Sequence, residues 1–114
     1  IIRGTVSKRT VDLAKSAGAK KVLFASTFPP VAYPCIYGID FPSKKELIAA
    51  NKTAAEIAQE IGADFVIYND VEDLKKAIGL NDLCLACVTG QYPISIDGMS
   101  ALQSLRERNL ALST

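Results

Sequence analysis

The chain contains 114 residues, 49% of them hydrophobic and 22% charged, which is the composition of one soluble globular unit. Its 13 basic and 12 acidic residues leave a formal net charge of +1, so we expect neither nucleic acid nor a membrane surface as a partner. No apolar run approaches the about 20 residues that span a bilayer, and a signal peptide is not apparent, so we expect a cytoplasmic protein. Because the sequence begins at Ile1 without a methionine, we expect a piece of something longer.

The first half of the sequence predicts a helix, a strand and an ordered loop. Residues 6–17 carry one helical face, made of Val6, Thr10, Leu13, Ala14 and Ala17, and Gly18 supplies the left-handed stop. The short apolar run 22–25 is typical of a strand covered on both faces in a parallel sheet. Three prolines within 29–34 then predict an ordered loop at the carboxyl end of that strand, where ligands bind in open parallel sheets.

Two capping boxes, Ser43-x-x-Glu46 and Thr53-x-x-Glu56, predict helix starts, because hydroxyl and carboxylate each satisfy a backbone N–H of the first turn. We expect helices over 44–50 and 54–61, with Gly62 ending the second.

Residues 63–68 predict a second strand, and Asn69 or Asp70 caps a further helix that ends at Gly79. The buried side of this helix is expected to comprise Val71, Leu74, Lys75 and Ile78. Strands separated by helical crossovers predict a parallel α/β layer. A last amphipathic helix is expected over 95–109, through Met99, Leu102 and Leu105.

The triplet Arg3-Gly4-Thr5 stands directly before the first helix. Backbone N–H groups at a helix start attract anions, and glycine lets the backbone approach a phosphate closely. The alternative is an ordinary helix start capped by Thr5 or Ser7. Taken alone, a motif of three residues favours this alternative.

The three cysteines are Cys35 and the pair Cys84-x-x-Cys87. Thiols at this spacing can bind one metal atom or cluster, and zinc and iron–sulfur both fit, although small buried thiols without a ligand are equally common. With no histidine in the chain, a fourth ligand must come from elsewhere. A redox pair is disfavoured, because this pair follows the loop 79–82 and nothing nearby lowers a thiol pKa. The absence of histidine and of paired carboxylates also places any acid–base machinery outside this chain, so no catalytic residue is assigned.

At these residues the sequence resembles the glutamine phosphoribosylpyrophosphate amidotransferase family, in the carboxyl-terminal part of its phosphoribosyltransferase domain. The matching blocks are Ile1–Thr5, Gly18–Val22, Pro29–Asp40 with Glu46–Ala49, and Ile61–Asp64 with Cys84–Pro93. The resemblance implies a partial type I phosphoribosyltransferase fold over 1–93. Residues 94–114 match no family pattern, and for them we expect a carboxyl-terminal helical extension.

The resemblance also implies site residues. Arg3, Gly4 and Thr5 would end the loop that holds the 5-phosphate of phosphoribosyl pyrophosphate, while the acidic residues that engage ribose and magnesium lie upstream in the family. Cys35, Cys84 and Cys87 match three ligands of a [4Fe–4S] cluster whose fourth cysteine also lies upstream. This chain has Val6 where the family usually has a second threonine, which removes one hydroxyl contact.

The family transfers glutamine-derived ammonia to phosphoribosyl pyrophosphate, giving 5-phosphoribosylamine in purine biosynthesis, and purine nucleotides inhibit it. The resemblance therefore implies a glycosyltransferase parent, and we expect the isolated chain to be inactive. The alternatives are an iron–sulfur or metal-binding α/β module without catalysis, in which copies of the chain could share a cluster, and a nucleotide-binding regulatory piece.

Overall fold

The computed structural model describes residues 1–39 and 43–94, together with Ser104, Leu105, Arg108 and Ala111. Within these residues the helices are α1 (Thr5–Ser16), α2 (Ala54–Ile61), α3 (Val71–Ile78) and α4 (Ala86–Thr89). The strands are β1 (Leu23–Ser26) and β2 (Phe65–Tyr68), and two 3₁₀ turns cover Lys44–Glu46 and Ile48–Ala50.

The two strands pair in parallel, in a register that sets Leu23 opposite Phe65 and Ser26 opposite Tyr68. The chain crosses from one to the other through the 3₁₀ turns and α2, so the predicted α/β layer with a helical crossover is confirmed. Asp64 closes the start of the ladder, because its N–H donates to the Val22 carbonyl at 2.9 Å and its carboxylate accepts from the Val22 N–H at 2.7 Å.

Helix α2 forms the centre of the core, and its predicted limits are confirmed. The Thr53 hydroxyl accepts from the Glu56 N–H at 3.3 Å, the Glu56 carboxylate accepts from the Thr53 N–H at 2.7 Å, and Gly62 ends the helix at a φ of 78°. The buried core cluster comprises Val11, Ile48, Ile57, Ala58, Ile61 and Val66.

The first capping box is a wrong prediction. Residues 44–50 form two 3₁₀ turns separated by Leu47 in an extended conformation, and Ser43 makes no side-chain cap bond. Leu47 and Ile48 are adjacent in sequence and both buried, and the Ile48 N–H donates to the Ile2 carbonyl at 2.9 Å instead of to a preceding turn. Tertiary contacts therefore override the local helix signal here.

Helix α1 is present, but the prediction of its buried face is wrong. Ser7 and Val11 are the buried residues, whereas Val6 is 76% and Leu13 is 71% exposed. Val11 packs in the core cluster with residues of α2. Ser7 and Val11 are four residues apart and therefore lie on the same side of α1, which is the side that meets α2. Gly18 follows the helix in the left-handed region at a φ of 99°, as expected.

The prediction that β1 is covered on both faces is also corrected. Helix α2 packs on the sheet face that carries Val66, with α1 packed against α2, while the other face exposes more than half of Leu23, Phe65 and Ile67. The apolar run at 22–25 marks a strand correctly, but in the described part of the chain only one of its faces is covered.

Helix α3 begins as expected at Asp70, whose carboxylate accepts from the Asp73 N–H at 2.8 Å, and ends at Gly79. Leu74 is buried and Ile78 is half exposed, so the predicted apolar side is only partly covered. The helix expected over 95–109 lies outside the described residues, apart from Ser104, Leu105 and Arg108, which are helical. None of the helices in the described ranges combines the length and apolar character needed to cross a bilayer.

The two boxes form a matched pair for measuring the cap of α2. We expect Thr53→Ala to lower the free energy of unfolding by about 1 kcal/mol, because a helix-start N–H loses its acceptor. Ser43→Ala, the control, should leave it unchanged, since Ser43 caps nothing. Urea denaturation followed by circular dichroism measures both, and equal effects would contradict the assignment.

The same cap should weaken in acid. Hydrogen bonds from Thr53, first from its N–H and then from its hydroxyl, hold the pKa of Glu56 below its ordinary value. A lowered pKa gives stability that is present above the unfolded-state pKa and lost as pH falls through the folded-state pKa. The difference between wild type and Thr53→Ala should therefore shrink as the pH falls through that range.

Candidate functional site

The first candidate site is the turn that opens α1. A cavity of about 370 Å³ lies beside it, lined by Arg3, Gly4, Thr5, Lys8, Arg9, Asp12, Ile48, Glu60 and Ile61. The structure thus brings the predicted residues Arg3, Gly4 and Thr5 to one cavity.

Gly4 is the N-cap of α1, at a φ of 83° and without any side-chain cap bond, so the expected cap by Thr5 or Ser7 is wrong. A Cβ built on Gly4 would lie 2.7 Å from Cδ1 of Ile48, which is closer than real carbon contacts allow. Glycine is required here both by the left-handed backbone and by the close approach of Ile48.

The electrostatics of this cavity suit an anion. Its basic side chains, Arg3, Lys8 and Arg9, outnumber its acidic ones, Asp12 and Glu60; Glu60 pairs with Lys52, and Arg3 pairs with Glu46. The first backbone bond of the helix runs from the Lys8 N–H to the Gly4 carbonyl at 2.8 Å. The N–H groups of the three preceding residues therefore lie in the turn whose donors have no partner within a helix.

The second candidate site is a larger, apolar cavity of about 570 Å³ that contains all three cysteines. It is lined by Ile1, Ile2, Phe28, Pro29, Val31, Cys35, Tyr37, Ile39, Cys84, Ala86 and Cys87. Cys84 is exposed, whereas Cys35 and Cys87 are half-buried. Cys87 lies within the short helix α4, and Cys84 lies directly before Leu85, the N-cap residue of that helix.

Backbone and tyrosine hydrogen bonds bring the cysteine segments together. The Cys87 carbonyl accepts from the N–H groups of Ala32 and Tyr33, each at 3.0 Å. The Tyr92 hydroxyl donates to the Pro34 carbonyl at 2.7 Å, next to Cys35.

A second tyrosine, Tyr37, joins the segment that carries Cys35 to the segment that follows Cys87. The Tyr37 hydroxyl donates to the Ile94 carbonyl at 2.9 Å and accepts from the Ile94 N–H at 3.0 Å, and its ring meets that of Tyr92 edge-on at 6.2 Å. Gly90 allows close packing of the loops, since a Cβ there would lie 2.9 Å from the Tyr33 ring. These tyrosines are not among the site residues predicted from the sequence, where their only signal is their place near Cys35 and Cys87.

The thiols lie close enough to influence one another. Burial raises the pKa of Cys87, and the neighbouring Cys35 and Cys84 raise it further through like charge. Among the described residues, no group of three histidine, cysteine or acidic side chains is placed to hold a single metal ion. The donor chemistry, three soft thiols in an apolar cavity, nevertheless fits the larger iron–sulfur unit that such ligands prefer.

No family model matches the chain, but curated proteins do. It is 53% identical over 97 residues to an amidophosphoribosyltransferase of Methanocaldococcus jannaschii, covering 85% of this chain and 21% of that protein. It is 43% identical over 113 residues to that of Bacillus subtilis, covering 94% of this chain and 24% of the relative. The chain thus spans less than a quarter of the length of these relatives.

Solved structures agree with this similarity. One is the B. subtilis glutamine phosphoribosylpyrophosphate amidotransferase complexed with ADP and GMP, with a TM-score of 0.77 and 47% identity over 84% of this chain and 22% of that one. Another, described as the allosteric regulatory enzyme of purine biosynthesis, has a TM-score of 0.76 and 43% identity over 93% of this chain and 24% of that one. The predicted fold, part of a type I phosphoribosyltransferase, is therefore confirmed.

The two thiols of the pair should differ in reactivity. We expect iodoacetamide to modify Cys84 several-fold faster than Cys87, because Cys84 is exposed and the raised pKa of Cys87 leaves less thiolate. Peptide mass spectrometry after brief labelling measures both rates. Denaturant is the control, since unfolding should equalise them, and equal rates in the folded chain would show that Cys87 is not in the half-buried position described.

Proposed function

We propose that this chain, which belongs to the amidophosphoribosyltransferase family, supplies the phosphate-binding turn and the adjoining α/β layer of a phosphoribosyltransferase domain. The observation that carries the proposal is the Arg3-Gly4-Thr5 turn at the start of α1, with basic side chains around one cavity. A 5-phosphate placed there would accept from the backbone N–H groups of the first helical turn and from the basic side chains.

The reaction proposed for the parent protein is the family reaction, transfer of glutamine-derived ammonia to phosphoribosyl pyrophosphate with formation of 5-phosphoribosylamine. The chain is not proposed to catalyse it unaided, because it has no histidine or paired carboxylates for acid–base work. Magnesium would accompany the pyrophosphate in the parent. A cytoplasmic location belongs to the same proposal, supported by the likeness to an enzyme of purine biosynthesis.

Purine nucleotides are proposed as further ligands of the parent, since one similar enzyme was solved with ADP and GMP. The division of the chain is also proposed: residues 1–93 belong to the transferase layer, and residues 94–114 form a helical extension. The helical conformation of Ser104, Leu105 and Arg108 supports the second part.

A second proposal concerns the cysteine cavity. We propose that Cys35, Cys84 and Cys87 serve as thiolate ligands of an iron–sulfur cluster, either in the parent or in a metal-binding module without catalysis. The convergence of three cysteines on one apolar cavity supports this, because thiolates in a water-poor shell are the usual ligands of such clusters. The chain supplies three thiols, so the fourth ligand would come from another segment, an added thiol or a second copy.

Phosphate binding is tested by titrating the isotopically labelled chain with phosphoribosyl pyrophosphate and magnesium while recording amide chemical shifts. We expect shifts at residues 4–8, and an affinity at least about tenfold lower in Gly4→Ala, whose Cβ would distort the turn.

The control for that variant is Gly79→Ala, which also alters a left-handed glycine, at a φ of 78°, but in open space at the end of α3. It should bind as wild type does. Equal affinities in both variants, or shifts confined to other parts of the chain, would contradict the assignment of this turn.

Cluster binding is tested by anaerobic reconstitution with ferrous iron, sulfide and a small thiol. We expect iron and sulfide to remain bound after gel filtration, with a broad absorbance near about 400 nm that is lost in Cys35→Ser and Cys87→Ser. Ser43→Ala is the control, because Ser43 lies outside the lining of this cavity and its side chain makes no cap bond. A chain that stays without metal, and monomeric by native mass spectrometry, would contradict the proposal.

A further inference from the structure

We propose that Glu46 is a positioning residue for Arg3 in the Arg3-Gly4-Thr5 turn. The segment Lys44–Ala50 is the support against which this turn packs. The inference rests on the proposed phosphate-binding role of the turn. The resemblance and the comparisons assign no role to Glu46, whose sequence context predicts only a helix cap.

The contact itself joins the two side chains at specific atoms. Nε of Arg3 lies 3.4 Å from Oε1 of Glu46. An arginine has five N–H donors in a planar fork, so pairing through Nε leaves the two terminal nitrogens to bind an anion. The carboxylate therefore fixes the plane of the guanidinium without occupying the donors that a phosphate requires.

The carboxylate is held in place by the fold beneath the turn. The Glu46 N–H donates to the Ser43 carbonyl at 2.9 Å within the 3₁₀ turn, and Leu47 and Ile48 anchor the next two positions in the interior. Oε2 of Glu46 is buried and has no hydrogen-bond partner among the described residues. The Glu46 side chain is 35% exposed, so the carboxylate is only partly buried, with Oε1 paired to Arg3 and Oε2 turned inward.

Two further contacts bind the same segment to the same turn. The Ile48 N–H donates to the Ile2 carbonyl, and Cδ1 of Ile48 occupies the space that a side chain at Gly4 would need. Backbone, apolar side chain and ion pair therefore attach three consecutive residues, Ile2, Arg3 and Gly4, to one support. Isolated surface ion pairs contribute little to folding stability. Here the effect of the pair is on binding, because the orientation of Arg3 is set before an anion binds.

Neutralising Glu46 has two opposing effects on anion binding. It removes a negative charge near the site, which favours the anion, and it frees the Arg3 side chain, which disfavours binding. In water and salt the first effect is largely screened, whereas an unrestrained arginine must lose rotamer freedom on binding. We therefore expect Glu46→Gln to weaken binding of phosphoribosyl pyrophosphate by about three- to tenfold, within the usual range for coupled neighbouring residues.

The experiment compares wild type, Glu46→Gln and Glu72→Gln by the amide-shift titration. Glu72 pairs with Lys75 at 3.6 Å on α3, so its variant removes the same charge and a similar ion pair away from the turn, and its affinity should equal wild type. The ¹⁵N-attached Nε–H resonance of Arg3 is recorded without ligand, and it should shift and exchange faster in Glu46→Gln alone. Thermal unfolding of each variant separates loss of positioning from loss of fold.

Arg3→Lys provides the second arm, because lysine lacks the Nε donor that Glu46 engages. Replacing Glu46 by Gln in this background should have no further effect on affinity. Equal or tighter binding by Glu46→Gln, or an unchanged Arg3 resonance, would overturn the inference while leaving the phosphate site intact. If wild type gives no shifts at residues 4–8, the proposed function fails, and the positioning role fails with it.

Discussion

The contact between Ile48 and the Gly4 turn links the core of this chain to its candidate anion site. Ile48 belongs to the same buried cluster as Val11 of α1 and Ile57 and Ile61 of α2, so its position is set by the packing of both helices. Its Cδ1 in turn excludes any side chain at Gly4. The geometry of the turn is therefore a consequence of core packing, because a shift of the 44–50 segment moves the turn with it.

The cysteine cavity depends on a different kind of constraint, a set of hydrogen bonds between irregular segments. The proline-rich loop offers few backbone donors, and two of them, at Ala32 and Tyr33, are used by the Cys87 carbonyl. The Tyr92 hydroxyl donates to the Pro34 carbonyl next to Cys35, and the Tyr37 hydroxyl bonds the backbone of Ile94. Half-exposed loops joined mainly by polar contacts are expected to open more readily than the core around α2, which would suit the proposed cluster site.

The elements predicted correctly from sequence are those whose signals are local. Thr53, Glu56 and Gly62 act within one helix, and the structure shows the bonds that their order predicts. The pattern at Ser43 and Glu46 is of the same type, with serine in place of threonine, but there Leu47 and Ile48 are both buried and Glu46 pairs with Arg3. A local motif fixes local structure only where no long-range contact competes for the same groups.

The same distinction applies to the sites. The resemblance predicts site roles for the three cysteines and for the Arg3-Gly4-Thr5 turn, and these roles stay predictions. The structure places the members of each group at one cavity. Periodicity alone could not choose between two faces of α1, because Ser7 is polar yet faces the core. The tyrosine bonds join residues 57 or 58 positions apart, a separation at which neither propensity nor spacing carries information.

The two candidate sites are joined by five consecutive residues. Ile1 and Ile2 line the cysteine cavity, and Arg3, Gly4 and Thr5 line the anion cavity. The Ile2 carbonyl, between them, accepts the bond from the Ile48 N–H. That bond holds the backbone at the point where one cavity ends and the other begins. A group bound in the cysteine cavity would therefore lie against Ile1 and Ile2, whereas the turn that follows packs against Ile48 and pairs with Glu46.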